Sequence, residues 1–394
     1  MSRSVYFPNL DGLRTLACLG VFFFHTLFLY AFMWTSHDAP VYRYGLSLLG
    51  HGAEGVNFFF VLSGFLITYL LLHEEHTTGR INTPAFYLRR VLRIWPLYFA
   101  SVVFGFVIVP FWMHLAHAPW HETADPRLFV AFLANLDLFR HHDLPPSAFN
   151  LAVLWSVSVE EQFYLLWPLL LAGLFRWWRP GAFLLVIGFS LWFRYTHVHY
   201  DAMLYSHTFS VIGDLAVGGA VGWVCFRYPA FCHWVGRWPL WAIVVGYAGG
   251  AALLVLQKEW GTDAFNITCQ RLFRALFFAF VILEQNYAPR SIVKVGRIRW
   301  LTYWGTFTYG LYCLHPIASM LVGFSLDRLG FHHSLSTVLL LTALSLPLSA
   351  ALAWLSYHYL EHPFLKLKNR RWKAPVSSES EAAGETPLLA ATEH

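Results

Sequence analysis

Long apolar runs recur through this chain, and they leave few ways for it to fold. Segments near 12–33, 56–73, 94–114, 150–176, 180–197, 209–227, 239–257, 270–286, 303–325 and 336–358 are each long and apolar enough for a helix to cross a membrane. A hydrocarbon core of about 30 Å needs about 20 helical residues. Only 12% of the 394 residues are charged, whereas a soluble chain has about 25%. The mean hydropathy is +0.49. Backbone groups in lipid must be satisfied internally, and helices do this within one segment. The expected fold class is all-α: a polytopic integral membrane helical bundle of about ten transmembrane helices.

Residues 1–373 are expected to form one membrane domain. Residues 374–394 are rich in Ala, Ser, Glu and Thr, cannot bury a core, and are expected to be a disordered cytoplasmic tail. Only Arg3 precedes the first apolar run, with no small-residue cleavage motif, so that run is expected to be retained as a span. Residues 127–140 are too short to cross easily and carry Asn135 and Asp137, which predicts an interfacial or re-entrant helix in a long outer loop. Five scattered cysteines suggest neither a zinc site nor a disulfide framework. The histidines at 114, 117, 121, 141 and 142 have no compelling ligand spacing, so no metal is expected.

Loop charges set the expected orientation. On the side of the N-terminus 18 Lys and Arg collect, against 8 on the other. Positive charge favours the cytoplasmic face, so both termini are expected in the cytoplasm of an inner (plasma) membrane protein. The net charge of +5 fits a basic inner face against the lipid bilayer and calls for no nucleic acid.

Against this apolar background, a few polar residues stand out. In Asn9–His25 (NLDGLRTLACLGVFFFH), His25 follows Arg14 by eleven residues. A continuous helix puts both on one face, roughly 16 Å apart along the axis. Arg14 then sits at a membrane edge and His25 near the midplane. Ionisable groups at such depth are costly and mark function. In 154–171 (LWSVSVEEQFYLLWPLLL), Glu160 and Glu161 also fall near the midplane. They point about 100° apart and need different partners, of which His25 is one candidate. Tyr164 lies one turn on. In 56–72 (VNFFFVLSGFLITYLLL), Ser63 and Gly64 permit close approach of a helix or a ligand. In 86–99 (FYLRRVLRIWPLYF), Arg89, Arg90 and Arg93 fit either phosphate binding or positive-inside anchoring. In 302–317 (TYWGTFTYGLYCLHPI), Tyr309, Tyr312 and His315 lie within two turns. The run YHYLEHPF, 357–364, ends the last span with Glu361.

NLDGLR with a His eleven residues after its Arg, then FFVLSGF, RRVLRIWP, WSVSVEEQFYLLWP, YGLYCLHP and LEHPF together resemble the membrane acyltransferase-3 family. The ordered match covers residues 9–364. Members O-acylate sugars of lipopolysaccharide, capsule, exopolysaccharide and peptidoglycan, and some antibiotics. The resemblance implies that His25 and Arg14 are the essential pair, with Glu160 close behind. It implies acyl-CoA, commonly acetyl-CoA, as donor substrate, and no bound cofactor. The acceptor would be a carbohydrate or lipid-linked glycan. Two departures are visible: His362 stands where Arg is common, and no soluble hydrolase-like domain is expected after the membrane domain.

On this reading His25 acts as general base, while Glu160 or Glu161 fixes its tautomer. A covalent acyl-His route is equally consistent with the sequence. Arg89, Arg90 and Arg93, with Ser63, Glu161, Tyr164 and His315, are expected to bind substrate. A proton-coupled transporter also buries His, Glu and Arg, but it often shows internal repeats, and none is evident. An acyltransferase acting on a macrolide-type small molecule is the other alternative.

Overall fold

A computed structural model of the chain describes residues 6–34, 47–138, 151–174, 177–256, 261 and 263–371. The expected tail, Arg3, Arg43, Arg140, Arg176, Lys258 and the two histidines at 141 and 142 lie outside the described residues. Every described regular element is a helix. Ten longer ones are labelled here: α1 Pro8–Phe23, α2 Glu54–Thr78, α3 Thr83–Val103, α4 Leu154–Leu169, α5 Arg179–Thr196, α6 Thr208–Arg227, α7 Leu240–Val255, α8 Ala264–Tyr287, α9 Thr308–Arg328 and α10 Leu335–Leu355.

Among the described residues, seven helices are long and apolar enough to cross a membrane, which makes this a multi-pass membrane protein. They are Pro8–Trp34, His51–Thr78, Thr83–Leu115, Asp201–Arg227, Ala264–Tyr287, Thr308–Arg328 and Leu335–Leu367. An eighth is obtained if Pro229–Val235 and α7, bent by 91°, are one broken span. Ten were expected. The shortfall falls on α4, diluted by Glu160, Glu161 and Gln162, and on α5, with Arg179 and Arg194 near its ends.

Local signals explain where helices start and stop. Asn82 caps α3 by accepting from the Ala85 amide (3.1 Å), with a proline in the first turn. Gly79, at φ 78°, closes α2 in the left-handed conformation. Four helices also carry a π turn: Phe24–Leu29 after α1, Phe104–Ile108 after α3, Leu170–Leu174 after α4 and Ser356–Glu361 after α10. A π turn holds one residue more than an α turn and is often found at functional sites.

Lipid is as apolar as leucine, so membrane helices associate through close packing and polar interlocks. Both are visible. A Cβ on Gly64 would overlap the Leu215 carbonyl, and one on Gly218 would overlap that of Val61, so the backbones of α2 and α6 touch. Asp214 on α6 pairs with Arg271 on α8 at 2.8 Å, with side chains 2% and 7% exposed. Glu54, at the start of α2, pairs with Arg274 and accepts from Asn57. Arg194 donates to the Leu204, Ile267 and Thr268 carbonyls and to Ser210 Oγ. These three arginines were counted among the eight cations of the less basic side. They are buried in the bundle and do not act as loop charges.

The 127–140 segment is not one helix. It forms two short ones, Pro126–Val130 and Ala134–Leu138, separated where Phe132 turns to φ 55°. Asn135 and Asp137 are buried in protein: Asn135 donates to Thr208 Oγ1 (3.0 Å) and accepts from Gln162 on α4 (2.9 Å). Unpaired amides would oppose such burial; this network removes that cost and ties the segment to α4 and α6.

Candidate functional site

Arg14 is in the second turn of α1. Asp11, three residues earlier, meets it at 2.6 Å. The other Asp11 oxygen accepts from the Tyr6 hydroxyl at 2.9 Å. That bond, ahead of the first span, raises the Tyr6 pKa above the ordinary phenol value. The helix is fastened by Thr15 Oγ1, which donates to the Leu301 carbonyl at 2.7 Å. The Asp11–Arg14 pair was legible as an i, i+3 spacing of opposite charges, and it was not among the expected site contacts.

Two neighbouring cavities meet at Arg14. The inner one has a volume of about 190 Å³; its polar lining includes Arg14, Ser63, Arg90, Arg93, Glu160 and Tyr164. Phe59, Phe60, Leu62, Leu66 and Ile67 of α2 give it an apolar wall. The second, of about 330 Å³, is lined by Asp11, Tyr6, Tyr357 and Glu361 among others. Arg14, Leu66, Leu70, Arg93 and Tyr309 line both.

Within the inner cavity the Glu160 carboxylate accepts from Ser63 Oγ (2.9 Å) and Tyr164 OH (2.7 Å). Ser63 faces the cavity because Gly64, beside it, is pressed against α6. The guanidinium of Arg90 lies over the Tyr164 ring, 5.1 Å from its centroid, and over Phe86 at 5.3 Å. Arg93 has no hydrogen-bond or carboxylate partner among the described residues and is exposed. Arg89 turns away to pair with Glu74 at 3.0 Å and lines neither cavity. The three arginines therefore divide: two face the cavities, and the third meets a carboxylate from the end of α2.

Glu161 also lines neither cavity. It accepts from Trp95 Nε1 at 3.0 Å, and its other oxygen is buried with no partner among the described residues. Its divergence from Glu160 follows from the 100° step between adjacent helical residues.

Ser156 and Tyr312 also line the inner cavity. Their hydroxyls lie 2.6 Å apart, and Tyr312 also donates to the Val153 carbonyl (3.2 Å). Tyr309 is pinned to the Ile94 carbonyl at 2.8 Å. Beyond Tyr312 its ring abuts His315, with centroids 6.1 Å apart, and His315 bonds to His25. His25 itself lines neither cavity. The α geometry expected from Arg14 onward runs to Phe23, and His25 is the second residue of the π turn Phe24–Leu29, so the change of phase falls mainly beyond it. His25 Nδ1 lies 3.0 Å from His315 Nε2, while Glu160 is held by Ser63 and Tyr164.

A family model described as an acyltransferase domain matches residues 7–355, nearly the whole bundle and every residue of both cavities except Tyr6, Tyr357, Glu361 and Leu365. The chain belongs to the acyltransferase-3 family. Its bundle is an acyltransferase domain. Among curated relatives, the peptidoglycan O-acetyltransferase OatA of Listeria monocytogenes is 27% identical over 333 residues, covering 80% of this chain and 50% of that protein. O-acetyltransferase OatA of Staphylococcus aureus is 32% identical over 181 residues, or 44% of this chain and 26% of the relative. A putative O-acetyltransferase of the same species is 25% identical over 401 residues, or 94% and 59%. The chain thus spans only part of the length of these relatives. No solved structure matches it.

Proposed function

We propose that this acyltransferase-3 protein is an O-acetyltransferase that moves the acyl group of acyl-CoA to a hydroxyl of a cell-envelope carbohydrate or lipid-linked glycan. The observation that carries the reading is the arrangement of the inner cavity. The guanidinium-bearing side chains of Arg14, Arg90 and Arg93 line it together, its wall along α2 is apolar, and its lining residue Tyr312 abuts His315, which bonds to His25. Guanidinium groups suit the phosphates of the donor. An apolar passage suits a pantetheine arm and excludes the water that would hydrolyse a thioester. Imidazole is suited to accept the proton of the attacking hydroxyl near neutral pH. The hydroxyl oxygen then bonds to the thioester carbon, the carbon–sulfur bond breaks, and the thiolate leaves to take up the proton. The acceptor class is supported by relatives named for peptidoglycan and other O-acetylation.

In this proposal the arginine-lined mouth faces the cytoplasm of an inner (plasma) membrane, both termini lie on that side, and the acceptor approaches from the other. The acyl group crosses within one bundle. A sided assay tests this. Protein is reconstituted in one orientation in sealed vesicles, with acetyl-CoA supplied only on the side of Arg93 and a glycan acceptor only on the other. Acetylated acceptor should form without leakage of either substrate. Product that appears only when both substrates share one side would overturn the transmembrane route.

A further inference from the structure

The hydrogen bonds around His25 run in one direction only. His315, 1% exposed in the middle of α9, places Nδ1 3.1 Å from the carbonyl oxygen of Leu311, one turn back. A carbonyl only accepts, so His315 Nδ1 carries the hydrogen. In a neutral imidazole the other nitrogen is then a bare acceptor. That nitrogen, Nε2, is 3.0 Å from His25 Nδ1. The ring centroids are 5.0 Å apart and the planes tilted by 38°, which is compatible with an N–H···N bond between the two nitrogens. His25 Nδ1 must therefore be the donor.

We propose that His315 is a positioning residue that fixes His25 as its Nδ1–H tautomer, so that Nε2 of His25 is the nitrogen that takes the acceptor's proton. The role in acyl transfer rests on the function proposed above; the direction of the hydrogen bonds does not. The chain of donors ends at a backbone carbonyl, so rotating either ring would leave a buried group unsatisfied. In the reaction the acceptor hydroxyl passes its proton to His25 Nε2, its oxygen bonds to the thioester carbon, and the carbon–sulfur bond breaks. The same proton is returned to the departing thiolate. His315 Nε2 receives a stronger hydrogen bond from Nδ1 while His25 is an imidazolium, and no net proton is gained or lost. A neutral imidazole serves here where hydrolytic triads use a carboxylate, which keeps a second charge out of the buried site.

The test combines a spectrum with a pair of variants. The full chain, labelled with 15N-histidine, is placed in lipid nanodiscs. The signals of His25 and His315 are assigned among the 20 histidines by difference against His25→Gln and His315→Gln. Both rings should show protonated Nδ1 and bare Nε2. A protonated Nε2 on His25 would overturn the proposal. In the sided acetyl-transfer assay, His315→Gln keeps an acceptor oxygen near the place of Nε2 and should retain kcat within about fivefold. His315→Leu keeps the bulk but not the acceptor, and should lose about 10- to 100-fold in kcat with donor KM unchanged, as expected for a partner that orients a reacting imidazole. Equal kcat in the two variants would also overturn it. If His25→Ala turns over normally while the wild-type spectrum is as stated, the hydrogen-bonded pair stands and the base role assigned to His25 falls.

Discussion

Arg89 and Arg93 lie four residues apart on α3 and look interchangeable in sequence, yet their removal should have very different consequences. Arg93 lines both cavities, the second together with Glu361, and forms no hydrogen bond or salt bridge among the described residues, so its guanidinium is available to a ligand phosphate. A charge-assisted hydrogen bond contributes about 1.5–3 kcal/mol, and each 1.4 kcal/mol is tenfold in an equilibrium constant. Arg93→Ala should therefore raise the donor KM roughly 10- to 150-fold if donor binding equilibrates before chemistry. Arg93→Lys should recover part of that loss, because an ammonium cannot offer the planar fork. Arg89 is already engaged by Glu74, with side chains 29% and 20% exposed. Such a partly solvated pair contributes about 0–1 kcal/mol to stability, and Arg89→Ala should leave donor KM within about fivefold of wild type. Donor titrations at saturating acceptor, on protein whose membrane insertion has been verified, measure both. Equal rises in KM for the two variants would refute the division of the cluster, and no rise for Arg93→Ala would remove that residue from the donor site.

Three further outcomes are expected. His25→Ala should insert normally and lose acyl transfer, measured as acetyl incorporation; near-wild-type turnover would remove His25 from the chemistry. Asp214→Ala leaves the Arg271 guanidinium buried and unpaired, which should cost about 3–5 kcal/mol. Reversible denaturation in mixed micelles reads this, with Asp214→Leu plus Arg271→Leu recovering most of the loss; a single variant as stable as wild type would contradict the pairing. A cytoplasm-active reporter fused after Lys373 should be active, whereas alkaline phosphatase activity from the same position would reverse the proposed topology.

The apolar runs carried the fold because lipid leaves the backbone little alternative to helix. Seven of them appear as helices that can cross, and the seventh run in the expected order is the bent pair ending in α7. Hydropathy is a poor guide where a helix carries the polar work: α4 falls short because Glu160, Glu161 and Gln162 sit within it. The residues of the inner cavity were legible singly, since a carboxylate or a guanidinium inside an apolar run has to be accounted for. Their partners were less so. Glu160 meets Ser63 and Tyr164, and His25 meets His315 across 290 positions of chain. Such pairings depend on which helices lie side by side, which local periodicity does not contain. The π turn at Phe24 was likewise invisible, because its residues, FHTLFL, read like any other apolar stretch.

That turn also changes how the two ends of the first span are held in register. In an unbroken helix the azimuth of every residue follows from that of any other, so a contact that fixes Arg14 would dictate where His25 points. One surplus residue uncouples the two halves like a slipped gear tooth. The inner half takes its bearing from Leu301 and the Asp11 pair. The outer half takes its bearing from α9 through His315 and from α10, where Thr342 donates to the Thr26 carbonyl. Under the function proposed above, the docking of the donor could then be retuned without rotating His25. Removing a single residue between Phe24 and Leu29 would re-engage the gear and swing the outer half by about 100°, with no change in composition or hydropathy to announce it.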